Sequence, residues 1–230
     1  MTTLAESIRA GLQAIAEPER ATAMQAYMKS DMPYLGVSAV PLRQFCKSAF
    51  AGLSWSSSAA WQADVLAIWR SARFREERYA AIALAGTGAA EAFHKADALP
   101  MYEEMIVTGA WWDYIDAIAG QQFWTLLQND REAMTEAMRR WSTDPDIWKR
   151  RSSILCQLRA KEQTDLDLLY ACIEPSLDSR EFFLRKAIGW TLRQHARTDP
   201  DEVLRYVTQN EARMSSLSRR EALKHIKETT

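Results

Sequence analysis

Residues 109–116 read Gly-Ala-Trp-Trp-Asp-Tyr-Ile-Asp, which sets two indoles and two carboxylates within about two helical turns. Trp112 and Asp116 are four apart, so a helix carries both side chains on one face. An electron-rich ring beside an anion suits a core poorly and suits a flat cationic group well. A carboxylate in that position can stabilise a positive charge, and the indole face can hold the group that bears it. The plainer reading of Asp116 is a surface acid on an amphipathic helix, and Asp113 fits that reading or the role of a partner for a local arginine. What lifts Asp116 above it is Trp112 one turn away.

Two cation-rich segments follow. Between Ile147 and Lys161 the charged residues are Lys149, Arg150, Arg151, Arg159 and Lys161. Between Phe182 and Thr198 they are Arg185, Lys186, Arg193 and Arg197, and neither segment contains an acid. The whole chain has a formal net charge of −1, so its cations are gathered rather than in excess. Gathering of that kind can present a surface to a polyanion. Lys186, Trp190, Arg193 and Arg197 form one helical stripe, with Ile188 and Leu192 on another side. Such a stripe is either a solvated face with one half-covered ring or a phosphate-tracking surface with an aromatic contact. Lys149, Arg150 and Arg151 crowd the start of the helix expected over 146–160, where they oppose the macrodipole; Asp144 and Asp146 offset part of that cost. Arg151 shares a face with Leu155 and Leu158, which places it at a groove edge.

The elements that must position these residues are helices. Strong helix formers dominate, alternating β patterns are missing, and only 8 residues are glycine. The periodicity predicts helices over 3–16, 18–29, 41–51, 57–70, 74–85, 89–96, 100–108, 111–128, 130–141, 146–160, 165–174, 180–197, 200–209 and 218–227. Pro41, Pro100 and Pro200 suit first turns. Ser218 with Glu221 has capping-box spacing, and Thr164 with Asp167 is a looser version. Helix pairs recurring every 30 to 45 residues or so point to an all-α fold, an α-solenoid of degenerate helical hairpins over a single domain 1–230. A globular bundle is the other arrangement open to this pattern. A curved stack would offer a concave face of duplex dimensions.

Composition narrows the class further. Apolar residues are 47% and charged residues 26%, an ordinary globular balance. Cys46, Cys156 and Cys172 form no C-x-x-C pair, and there is no secretory h-region, so a reduced cytoplasmic protein is expected. No apolar run reaches membrane-spanning length, and His94, His195 and His225 lack metal-ligand spacing. Trp55, Trp61, Trp69, Trp124 and Trp141 read as core or helix-end residues, and Met24, Met28, Met134 and Met138 as packing residues.

Together these residues resemble the AlkD-type DNA alkylation repair proteins, DNA glycosylases built from HEAT-like helical repeats. The resemblance is carried by Tyr27-Met28-Lys29, Tyr34-Leu35-Gly36-Val37, the WWDYID stretch, Trp148 through Leu158, REFFLRKAIGWTLR from Arg180 to Arg193, and LSRREALKHI from Leu217 to Ile226. It is weak from Ser54 to Ala98. It implies that Asp116, the second acid of the W-W-D-x-[VI]-D motif, is catalytic, with Trp112 and Trp190 as active-site tryptophans and Arg151 as the active-site arginine beside the lesion phosphate. Arg193, with Lys149, Arg150, Lys186, Arg197 and Arg219, would hold the DNA backbone on a concave basic face. The turn after Gly36 reads Val-Ser-Ala-Val-Pro and carries one extra residue, with Ser38 nearest to a glutamine found in one type of member.

The resemblance also implies a reaction. Alkylation at N3 or N7 makes a purine cationic and a good leaving group. Hydrolysis of the N-glycosidic bond then releases 3-methyladenine or 7-methylguanine from duplex DNA through an oxocarbenium-like transition state. No cofactor, no metal and no base-flipping pocket are needed, and tolerance of bulky adducts is implied for the same reason. A monomer acting at the bacterial nucleoid is the implied setting. The competing class is a non-catalytic helical-repeat module that binds DNA or protein. Asp116 separates the two, because a pure phosphate binder gains nothing from a carboxylate among its contacts.

Overall fold

The computed structural model describes residues 2–226, and all regular structure among them is helical. The all-α class expected from the sequence is borne out. Among the described residues, fourteen α-helices and four short 3₁₀ turns fall into two compact units, one ending at His94 and one beginning at Lys95.

The first unit contains α1 (Leu4–Ala14), α2 (Pro18–Met28), α3 (Ala39–Ala49), α4 (Ser58–Ser71) and α5 (Arg75–Ala85). A Thr3–Glu6 capping box starts α1, and Pro18 opens α2, where its missing N–H costs nothing. Helices α4 and α5 pack together over Trp61, Val65, Ile68, Trp69, Ala80, Ala81 and Leu84, all buried. The expected helix at 89–96 is instead a 3₁₀ stretch, Gly88–Phe93. The turn at Gly36 is held from α5. Buried Glu76 accepts hydrogen bonds from the amides of Leu35, Gly36 and Val37 at 2.9–3.1 Å. Gly36 has φ +87°, and a Cβ there would lie 2.0 Å from the Glu17 carbonyl oxygen. Ser38 then stands at the N-cap of α3 without a side-chain cap bond.

The second unit holds α6 (Leu99–Gly109), α7 (Trp112–Ala119), α8 (Gln122–Asn129), α9 (Arg131–Trp141), α10 (Ile147–Leu155), α11 (Leu166–Ile173), α12 (Phe182–His195), α13 (Pro200–Gln209) and α14 (Ser216–Ala222). The single helix expected over 111–128 breaks at Gly120, against which the Leu158 side chain packs. Two caps differ from expectation. Asp165, not Thr164, caps α11, because Thr164 Oγ1 donates to the Lys161 carbonyl. Ser215 caps α14, while Ser218 is buried and donates to the Arg185 carbonyl at 3.0 Å. The final expected helix runs to 227, a residue outside those described.

Of the tryptophans expected in the core or at helix ends, Trp61, Trp69 and Trp141 are fully buried. Trp55 and Trp124 are half-exposed, and Trp55 donates to Asp64. Burial of an aliphatic side chain such as Ile115, Ile118, Leu155 or Ile188 is worth about 1.5–3 kcal/mol, which fixes the helices that carry the polar residues. No helix among the described residues is long and apolar enough to cross a membrane.

Candidate functional site

A left-handed residue creates the corner on which the site is built. Ala110 ends α6 at φ 43°, Trp111 is extended, and α7 begins at Trp112. Tyr114, Ile115, Ile118 and Ala119 are buried, whereas Trp112, Asp113, Asp116 and Ala117 form the half-exposed face. Trp112 and Asp116 therefore share one face, as their spacing requires.

Asp116 does not stand alone there. Arg151 on α10 grips it with two bonds, Nε to Oδ1 at 2.8 Å and Nη2 to Oδ2 at 2.9 Å. Such a planar fork fixes the carboxylate in position and orientation. The third arm of the guanidinium, Nη1, donates to the Phe183 carbonyl at the start of α12. Helix α10 packs against both α7 and α12, so one arginine ties three helices together. Its side chain is 5% exposed against 17% for Asp116, so the carboxylate is the end of the pair that faces out. Burial pushes the Asp116 carboxyl above the ordinary range; the Arg151 guanidinium pulls it back and nearby Asp113 adds to the rise.

Arg151 is buried rather than in open solvent, and its guanidinium is already committed to Asp116 and the Phe183 carbonyl. Any phosphate would have to share the guanidinium with Asp116 and a main-chain carbonyl. The geometry of Arg151 is that of a residue that positions and charge-balances the acid.

An aromatic cluster joins the same three helices. Phe183 lies 4.9 Å from Trp148 and 5.6 Å from Trp111, centroid to centroid, and Phe182 packs edge-on against Phe183 at 5.4 Å. Phe182 is exposed. The indole Nε1 of Trp111 is buried without a hydrogen-bond partner among the described residues. Sequence reasoning did not find this cluster. The available signal was the Phe182-Phe183 pair at a helix start, but such pairs read equally well as an apolar face.

The stripe on α12 is shaped by α14. Gly189 lets the two helices approach so closely that a Cβ there would lie 2.5 Å from Glu221 Cβ and 3.0 Å from the Ser218 carbonyl oxygen. That approach delivers Glu221 to Lys186 at 3.0 Å and to Arg193. Lys186 holds the Glu221 carboxyl below its usual range. Both cations therefore carry a fixed counter-charge. Trp190 between them is half-exposed. Arg197 lies beyond the end of α12, in the turn, and is exposed. Arg219 pairs with Glu211.

The basic start of α10 has an explanation in the fold. Asp146 caps the helix through the amides of Trp148 and Lys149, which offsets the macrodipole cost. Lys149 bridges Glu103 and Asp144, each at 2.6 Å, and is only 13% exposed. Arg150 donates to Ser176 Oγ and the Pro175 carbonyl. Each of the three cations thus joins α10 to a different part of the unit.

Residues 8–226 match the family model described as DNA alkylation repair enzyme. A solved structure described as a predicted DNA alkylation repair enzyme from Enterococcus faecalis is 27% identical, with a TM-score of 0.82 over 93% of this chain and 97% of that one. No curated protein matches.

Proposed function

The chain belongs to the DNA alkylation repair enzyme family, and from that premise we propose that it is a DNA glycosylase that releases cationic alkylated purines, 3-methyladenine and 7-methylguanine, from duplex DNA. The observation that carries the reading is the outward-facing Asp116 carboxylate, clamped by Arg151 and sharing its face with Trp112. A fixed anion beside an indole suits a positive charge that moves from the base to the sugar.

In the proposed reaction the C1′–N bond breaks and its electron pair passes to the purine, which leaves neutral. The deoxyribose carries the charge in the transition state. Asp116 stabilises that charge and orients a water whose oxygen bonds to C1′, and the released proton passes to the carboxylate or to solvent. Trp112 and Trp190 contact the sugar and backbone through their ring faces. Arg151 keeps Asp116 in place. No base pocket is required, because a cationic purine departs without protonation, and neutral lesions are poor substrates on this scheme.

DNA contact is proposed for the exposed Arg197 and for Lys186, Arg193 and Arg219, whose acid partners could exchange for phosphate. Lys149 and Arg150 have weaker support, given their bonds within the unit. The test is release of 7-methylguanine from methylated duplex, followed by chromatography. Wild-type protein should leave abasic sites and Asp116→Asn should not. Equal release by both proteins would sink the catalytic assignment.

A further inference from the structure

Glu221 neutralises two of the cations for which DNA contact is proposed above. It projects from α14 toward α12 and gives each cation one oxygen: Oε1 accepts from Lys186 Nζ at 3.0 Å and Oε2 from Arg193 Nη1 at 2.5 Å. The bond from Lys186, with the charges of Arg193 and Lys224, holds the carboxyl below its usual range, so it is ionised at neutral pH. Trp190 lies between the two cations on the same stripe and is half-exposed. Lys186 is 39% exposed and Glu221 17%, so solvent reaches the fork.

These ion pairs are not what fastens α14. Ser218 is buried and donates to the Arg185 carbonyl at 3.0 Å, Ala222 is fully buried, and Gly189 lets the two helices meet. Ion pairs within reach of solvent add little to stability. What the carboxylate does change is the charge of the stripe, because Lys186 and Arg193 together carry two positive charges and Glu221 cancels one. A carboxylate and a phosphodiester present such a fork with the same thing, one negative charge shared by two oxygens. The fork is thus matched to both anions.

We propose that Glu221 stands in for a DNA phosphate in the free chain and gives up Lys186 and Arg193 when duplex binds. The inference rests on the reading of this chain as a DNA repair enzyme, but not on a catalytic role for Asp116. Binding at the fork is then an exchange of one anion for another. A backbone that is poorly placed does not displace the carboxylate, so Glu221 limits unspecific binding. The exchange needs only a swing of the Glu221 side chain, and α14 stays in place.

The test measures the affinity of the full chain for a fully paired duplex, by fluorescence anisotropy over a range of salt. Glu221→Gln keeps the shape of the side chain and removes its charge. A displaced carboxylate about 6 Å from the phosphate, at an effective dielectric of about 40, opposes binding about tenfold, so this variant should bind about tenfold tighter. Its slope of log affinity against log salt should steepen by about one, since the fork gains one net charge. In a chain already carrying Lys186→Gln and Arg193→Gln, the same substitution should change affinity by no more than about twofold. In the wild-type chain, the ¹³C signal of the Glu221 carboxyl should shift when duplex is added, while that of Glu77, buried against Arg9, should stay. If the wild type binds duplex, unchanged or weaker binding by Glu221→Gln overturns the proposal alone. An equal gain with and without the two cations, which is long-range charge, also overturns it, as does a Glu221 signal that does not move. Absence of duplex binding by every one of these chains removes the DNA reading itself, and the proposal with it.

Discussion

The Arg151–Asp116 pair allows the proposed catalysis to be separated from stability by two variants. In Asp116→Asn the guanidinium, 5% exposed, loses its counter-charge. Breaking a buried pair costs about 3–5 kcal/mol; the 17% exposure of Asp116 and the acceptor kept by Asn place this variant near the lower value. For chemistry, take the sugar charge at about 4 Å from the carboxylate and about 8 Å from the guanidinium, with an effective dielectric of about 20. The acid then contributes about −4 kcal/mol and the arginine about +2 kcal/mol. Removing the acid alone should slow excision about 10³-fold. Removing both charges, in Asp116→Asn with Arg151→Met, should slow it only about 30-fold while restoring most of the lost stability. The assay is single-turnover release of 7-methylguanine from methylated duplex, with thermal melting of each protein alongside. A double variant that is as fast as wild type, or no faster than Asp116→Asn, would refute the reasoning that the outward carboxylate acts through its charge.

Other expectations follow from the same contacts. Because burial raises the Asp116 pKa, excision should fail on acidification above the range of an ordinary aspartate, about 3.9. A rate that holds to pH 4 would contradict the assignment. Gly189→Ala should destabilise by about 1–3 kcal/mol, since its Cβ would meet Glu221 and the Ser218 carbonyl; an unchanged melting temperature would argue against the close approach of α12 and α14. Arg197→Ala should reduce the slope of log affinity against log salt by about one, while Lys149→Ala should lower stability and leave that slope alone. A slope change of about one for Lys149 would return it to the DNA surface. Ala110→Gly should stabilise the chain by about 0.5–1 kcal/mol, read by chemical denaturation, because φ 43° suits glycine; a loss would mean that the Ala110 methyl group contributes packing that outweighs the strain.

The sequence by itself determined the all-α class, most of the helices and the face shared by Trp112 and Asp116. Both are local: the apolar period and the turn-by-turn spacing depend on residues within a few positions of each other. It also carried the family, because WWDYID and REFFLRKAIGWTLR are long and rich in uncommon residues. Tertiary structure decided which charges are committed. Arg151 is 35 residues from Asp116, Lys149 is 46 from Glu103, and Lys186 is 35 from Glu221, separations at which no periodicity reports a partner. Three cations at a helix start looked like a surface for phosphate. Once α7, α9 and α12 pack around α10, they are joints between helices, and one of them holds the acid that the sequence singled out.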